Sequence, residues 1–338
     1  MRAAVDVMGG DFAPQVVLQG CWDAAGLLDE KDVIFLVGNA EISAAALEAS
    51  GLPPEKREIY RVVHAADVIG MDEPPVEAVR AKPQSSINVM CKLAADGQAD
   101  VVISAGNTGA CVAAAQLRMR TLPGVSRPGI AVVLPTFKGP VVLCDVGANP
   151  LPKPLHMKQY AVMAGAFASV VCGIENPRVG LLSIGEEESK GTLAVKQAHQ
   201  TMSGEPLINF LGNVEGRDLF KGIVDVCICD GFVGNVILKF FEGAAEGMFR
   251  ELLTNLQQAT PDLMPRIAPV MKKVQAELDW RDYGGAPLLG VGGYCLICHG
   301  RSDARAIKNA IRVGKQLSGS NVNQKIVEKI KQSVHVDE

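Results

Sequence analysis

Short blocks of Val, Ile, Leu and Ala recur along the chain. They are separated by longer stretches whose apolar positions fall three or four residues apart. The blocks are RAAVDVM (2–8), DVIFLVG (32–38), EIYRVVH (58–64), DVVISA (100–105), GIAVVLP (129–135), PVVLCDV (140–146), RVGLLSI (178–184), LINFLG (207–212), VDVCICD (224–230) and YCLICHG (294–300). Most are continuous rather than alternating, the pattern of strands covered on both faces. Strands of that kind alternating with helices predict an α/β protein of three layers, α/β/α, around a large, mostly parallel mixed sheet. No internal repeat or low-complexity linker divides the chain, so residues 1–338 read as a single domain.

One segment breaks the alternation. FFEGAAEGMFRELLTNLQQATPDLMPRIAPVMKKVQ, from Phe240, reads as two helices split by TPDLMPRIAP, a projecting helical hairpin over 240–276. Its tip gathers Leu263, Met264, Ile267, Val270 and Met271, flanked by Arg266, Lys272 and Lys273. An apolar tip with a basic rim fits a membrane surface. A hairpin packed at a dimer interface fits equally, and the stem could dimerise while the tip meets lipid.

Polar glycine motifs follow the strands: DVMGGD (6–11), SAGNTGA (104–110), DVGANP (145–150), SIGEEESKG (183–191), LGNVEGRD (211–218), CDGFVGN (229–235) and CHGRSD (298–303). Ligands of parallel α/β sheets bind beyond the carboxyl ends of the strands. The set therefore predicts one site built along a single rim, against the alternative of ordinary strand–helix turns.

Composition narrows the function. The chain has 338 residues, 48% hydrophobic, with a formal net charge of −4, which disfavours a nucleic-acid partner. The N-terminus enters a strand at once, with no signal-peptide pattern, and no run reaches the roughly 20 apolar residues of a membrane span. The nine cysteines therefore read as reduced, buried thiols of a cytoplasmic protein. CLICH (295–299) matches a haem-attachment spacing, but it lies in an apolar strand-like run and no second ligand pair accompanies it, so neither haem nor zinc is expected.

In SAGNTGA a helix begins just after Asn107 and Thr108. Its first N–H groups lack intrahelical partners and carry the positive end of the dipole. Gly106 and Gly109 allow close approach, and Ser104, Asn107 and Thr108 add side-chain hydrogen bonds, so the corner suits phosphate or carboxylate. Simple N-capping is the alternative. Neither G-x-G-x-x-G after the first strand, nor a P-loop, nor a G-x-S-x-G elbow is present. No metal or cofactor is expected.

VDVMGGD-x-AP, DEPPVEAVRAKPQSS (72–86), SAGNTGA, DVGAN, SIGEEESKG, GNVEGRDLFKG, DGFVGNVILK, YGGAPLLGV and HG-x-S together resemble, in order and through nearly the whole chain, the PlsX-type phosphate acyltransferases of bacterial phospholipid synthesis. The resemblance implies an isocitrate/isopropylmalate dehydrogenase-like fold and a cytoplasmic homodimer associated peripherally with the membrane. It implies transfer of a long-chain acyl group from acyl carrier protein to inorganic phosphate, giving acyl-phosphate for a membrane glycerol-3-phosphate acyltransferase. Two stretches depart from the family pattern: Phe12 stands where the family carries His after MGGD, and PLPKP follows DVGAN.

Roles follow from that reaction, in which phosphate attacks a thioester and a thiolate leaves. Ser104, Gly106, Asn107, Thr108 and Gly109 are expected to hold phosphate. Lys190 is expected to neutralise phosphate or the tetrahedral oxyanion, unless it is a surface lysine. Asn235 is an oxyanion donor or a helix cap. His299 protonates the departing sulfur or is structural. Asp6, Gly9, Gly10, Asp11 and Asp230 orient these groups, and Arg80 and Lys82 meet phosphate or the acidic carrier. Arg118, Arg120 and Arg127, or the hairpin cations, offer the carrier a basic strip. Three rivals remain: a phosphotransacetylase-like enzyme using acyl-CoA, a nicotinamide-dependent dehydrogenase of the same fold, and a non-catalytic scaffold recruiting partners to membrane.

Overall fold

All ten apolar blocks form strands in the computed structural model, which describes residues 1–277 and 284–336. The first half of the sheet contains β1 (Arg2–Asp6), β2 (Val33–Gly38), β3 (Tyr60–His64) and β4 (Val101–Ser104). The second contains β5 (Gly129–Thr136), β6 (Gly139–Cys144), β7 (Arg178–Leu182), β8 (Asn209–Val214) and β9 (Val226–Ile228). The chain then returns to add β10 (Ala286–Leu289) and β11 (Tyr294–Ile297) at the centre. The order across the eleven-stranded sheet is β3-β2-β1-β4-β11-β10-β5-β6-β9-β7-β8. Sequence reasoning missed β10, four residues that include a proline.

Pairing directions decide the geometry. β3, β2, β1, β4 and β11 are mutually parallel, as are β6, β9, β7 and β8. Between the two sets, β11–β10, β10–β5 and β5–β6 are all antiparallel. Three reversals leave the two sets pointing in opposite directions. The single rim is therefore corrected: DVMGGD, SAGNTGA and CHGRSD emerge at one edge of the sheet, and DVGANP, SIGEEESKG, LGNVEGRD and CDGFVGN at the other.

Helices cover both faces. Strand periodicity sends Ala3, Val5, Val101 and Ile103 into one apolar cluster and Ala4 and Val102 into another. The first cluster is closed by α1 (Gln15–Asp23), with the short α2 (Ala40–Glu48) and α3 (Pro54–Arg57) following it in the chain. The second is closed by α4 (Pro75–Ala81), α5 (Ser86–Ala95) and α6 (Thr108–Ala114), the last continuing as a π-helical turn to Met119. α7 (Pro154–Val171) and α8 (Leu193–Ser203) return to the first face, and α9 (Gly231–Ala259) lies on the second.

The hairpin is real but longer than expected. The Asp230 carboxylate caps α9 by accepting from the Val233 N–H at 2.8 Å, so the stem starts at Gly231 rather than near 240. A 3₁₀ turn, Pro261–Leu263, leads into α10 (Met264–Glu277), which packs back on α9. Met264, Ile267 and Met271 share one side of α10 and are half-buried, so the apolar surface of the tip consists of Leu263 and Val270. α11 (Ala304–Ser318) and α12 (Val322–Val336) finish the first face. Among the described residues, no helix is long and apolar enough to cross a membrane.

Candidate active site

The corner at 104–110 rests on a buried carboxylate. Asp6, at the end of β1, accepts from the Ser104 hydroxyl at 2.7 Å and the Met8 N–H at 3.1 Å. Burial pushes its pKa up, while hydrogen bonds from Ser86, Ser104, Met8 and Gly9 pull against that. The Ser104 hydroxyl also accepts from the Gly106 N–H at 3.0 Å. A Cβ on Gly9 would lie 2.5 Å from the Asp6 carboxylate and 2.7 Å from the Gly106 nitrogen, so only glycine lets the two loops touch. Gly10 has a φ of +111°, and the Asp11 N–H reaches the Gly300 carbonyl at 2.8 Å, which joins the third loop. Asp6, Ser104, Gly9, Gly10 and Asp11 therefore brace the corner.

Asn107 is spent on structure. Its Oδ1 accepts from the Ala110 N–H at 3.0 Å, while its Nδ2 donates to the carbonyls of Gly70, Met71 and Glu73 at 3.1–3.2 Å. The N-cap alternative thus describes its side chain, and a direct catalytic contact by that amide does not fit. Gly109 answers a packing need, because a Cβ there would lie 2.6 Å from the Pro75 ring on α4. Lys82 is likewise a strap, bonded to the Val68 carbonyl and the Glu73 carboxylate. What remains for an anion is the exposed Thr108 side chain and the N–H groups of the first turn, Thr108 and Gly109.

A cavity of about 450 Å³ joins this corner to the second half of the sheet. Thr108 and His299 reach it from the first half, Asn235 and Lys239 from α9. A Cβ on Gly234 would lie 2.0 Å from the Asp145 carbonyl oxygen, so α9 crosses in contact with the end of β6, and this places Asn235 at the wall. Lys239 follows one turn later on the same helical face, with Leu238, Phe241 and Glu242 beside it. Burial raises the Glu242 pKa, opposed by Lys239.

His299 is held neutral. Burial lowers its pKa first, then the charges of Lys239 and Arg301, against a smaller opposing effect from Asp11. Its Nδ1 accepts the Arg301 N–H at 3.1 Å, which places the ring proton on Nε2. Ser302 also lines the cavity, is 4% exposed, and its hydroxyl lacks a partner among the described residues.

Other expected residues lie elsewhere. Lys190 is exposed on the loop after β7 and does not line the cavity; Lys239 holds that position instead. Arg80 is exposed on α4, Phe12 is 53% exposed, and Asp230 acts as the cap of α9. Lys239 and Ser302 escaped sequence reasoning, although both carried a signal: Lys239 four residues after Asn235, and Ser302 within HG-x-S.

The result is a three-layer α/β fold in which a glycine-rich corner opens on an apolar cavity. The chain of a phosphotransacetylase from Streptococcus pyogenes superposes with a TM-score of 0.63 at 17% identity, covering 94% of both chains. A 4-hydroxythreonine-4-phosphate dehydrogenase from Klebsiella pneumoniae superposes with a TM-score of 0.53 at 14% identity, covering 94% of this chain and 99% of that one, so the dehydrogenase-like fold expected from sequence is present. Residues 1–325 match the family model described as fatty acid synthesis protein. A phosphate acyltransferase from Nitratidesulfovibrio vulgaris is 46% identical over 331 residues, 97% of this chain and 94% of the relative. The chain belongs to this family, and it is a phosphate acyltransferase.

Proposed function

We propose that the protein transfers a long-chain acyl group from an acyl-carrier-protein thioester to inorganic phosphate, giving acyl-phosphate for phosphatidic acid synthesis. The observation that carries this reading is the cavity, which sets Thr108, Asn235, Lys239 and His299 against an apolar interior. Phosphate sits at the first turn of α6, where the Thr108 hydroxyl and two amides meet it and Lys239 balances its charge. Its oxygen attacks the thioester carbonyl, the carbon–sulfur bond breaks, and the thiolate leaves. The oxyanion formed on the way is met by Asn235 Nδ2, with His299 Nε2–H and the Ser302 hydroxyl as further donors, each such donor supplying about 3 kcal/mol. Holding the two reactants in attack geometry supplies roughly 7–11 kcal/mol more.

The partners belong to the same reading. The carrier is acidic, and Arg118, Arg120 and Arg127 stand exposed near the corner's helix, while Arg266, Lys272 and Lys273 stand exposed on the hairpin. Phe240 and Met248, 74% and 73% exposed on α9, form with Leu252 an apolar stripe suited to a second copy of the chain. Leu263 and Val270 at the tip suit a lipid surface, where the product would pass to a membrane glycerol-3-phosphate acyltransferase. The protein would then work in the cytoplasm, peripherally on the membrane.

The test is acyl-phosphate formation by the purified protein from hexadecanoyl-carrier protein and phosphate, beside hexadecanoyl-CoA. Phosphate-dependent product from the carrier donor is the expected result. Product mainly from the CoA donor would move the enzyme to the phosphotransacetylases, and product from neither would leave a scaffold.

A further inference from the structure

The cavity is not confined to one face of the sheet. β10 pairs with β5 only at Leu288–Ile130 and Leu289–Gly129. It begins at Ala286, and the two preceding residues, Gly284 and Gly285, have φ of +70° and +88°, a conformation that ends the strand. β5 continues to Thr136, so its edge beyond Ile130 faces the β10 side with no ladder partner. The cavity occupies that gap. Val132 and Val133, consecutive residues with side chains on opposite faces, both line it. So do Leu238 and Phe241 of α9 on one face and, on the other, Phe167 and Val171 of α7 with Cys172 just after it.

We infer that an acyl chain threads through the sheet along this unpaired edge of β5, from the polar mouth at Thr108, Asn235 and His299 to the carboxyl end of α7, where Phe167, Val171 and Cys172 set the chain length accepted. The inference rests on the acyl-transfer reading above and deepens it. The cavity volume lies within the range of about 300–1,000 Å³ usual for ligand pockets. Most of its wall is aliphatic and aromatic, as a hydrocarbon requires, with Arg312 and Gln316 of α11 the polar lining on the α7 face. Phe167 is 2% exposed and fixes one wall, while Val171, the last residue of α7, is 40% exposed and leaves room for a larger side chain.

Chain-length preference is the direct measurement. Val171→Trp should lower the ratio of kcat/KM for hexadecanoyl over octanoyl carrier-protein donors at least tenfold, with octanoyl turnover within threefold of the parent. An unchanged ratio in a folded Val171→Trp enzyme overturns the inference while leaving the acyl-transfer reading intact. Cys172 gives a second readout without mutation. It is half-buried where the other eight cysteines are buried, and burial pushes its thiol up to about 11, so alkylation is followed at alkaline pH. Hexadecanoyl donor should slow iodoacetamide labelling of Cys172 at least fivefold and butanoyl donor should not. Equal labelling with both, in enzyme shown to turn over the long donor, overturns the channel. Absence of turnover with every donor removes the underlying reading and this inference with it.

Discussion

Gly234 lies so close to Asp145 that a Cβ on the glycine would stand 2.0 Å from the aspartate's carbonyl oxygen. That contact ties the first turn of the longest helix to the end of β6. It also fixes the depth at which Asn235 and, a turn later, Lys239 reach the cavity. Asp145 is itself immobilised: its carboxylate accepts from the N–H groups of Ile130, Gly147, Ala148 and Asn149 at 2.7–3.1 Å.

Gly234→Ala should therefore be costly, because the nearest atom is backbone and cannot rotate away. The expected loss is about 1–3 kcal/mol or more, read as a lowered Tm, together with a fall in turnover of at least tenfold as α9 shifts. A fully active Gly234→Ala enzyme of parental Tm would refute the tie.

The two lysines separate by position. Lys239→Met should raise the KM for phosphate at least tenfold, because it removes the cation at the cavity wall. Lys190→Met should leave that KM within threefold, because Lys190 lies outside the cavity. Steady-state kinetics of the two variants decide between them, and the reverse order would restore Lys190 to the phosphate site.

pH dependence follows from His299. Its folded pKa lies below the usual histidine value of about 6.5, so the ring is neutral at neutral pH and gains a proton only below that range. Protonation there meets burial and the charges of Lys239 and Arg301, and it removes the Nδ1 lone pair that accepts the Arg301 N–H, so the ring loses its positioning bond and activity and stability fall together as the pH drops through the lowered value. The kcat/KM profile should be flat above neutrality, with an acid limb below about 6.5. Lys239→Met removes one of the lowering charges and should move the limb upward. A limb that stays in place would detach it from His299.

The hairpin surfaces can be told apart. Phe240→Glu with Met248→Glu should shift the protein toward monomer in sedimentation, while vesicle binding by the tip persists. Leu263→Glu with Val270→Glu should abolish binding to anionic vesicles and leave the oligomer unchanged. Loss of both properties in either variant would mean that the hairpin works as one surface.

Local chemistry was legible in the sequence because it is carried by residues near one another. Continuous apolar blocks announced the strands, since a strand covered on both faces needs no polar side. Asn107 offered a helix start, since a short polar side chain before a helix satisfies an orphan N–H, whereas Asp230, read as an orienting group, proved to be the cap of α9. The small-residue corner at 104–110 suggested an anion site, and its capping side chain proved to be structural. What no local pattern contains is the direction in which distant segments pair. A late four-residue strand, β10, enters between the halves and, with β5, reverses the sheet. That reversal sends the glycine motifs to opposite edges, so Asn235 and Lys239 reach the cavity along α9 while Lys190 stays on its exposed loop. It also opens the gap that Asn235, Lys239 and His299 share. Lys239 was visible as the residue one helical turn after Asn235, but only the packing of Gly234 on Asp145 determines which face of that helix meets the cavity.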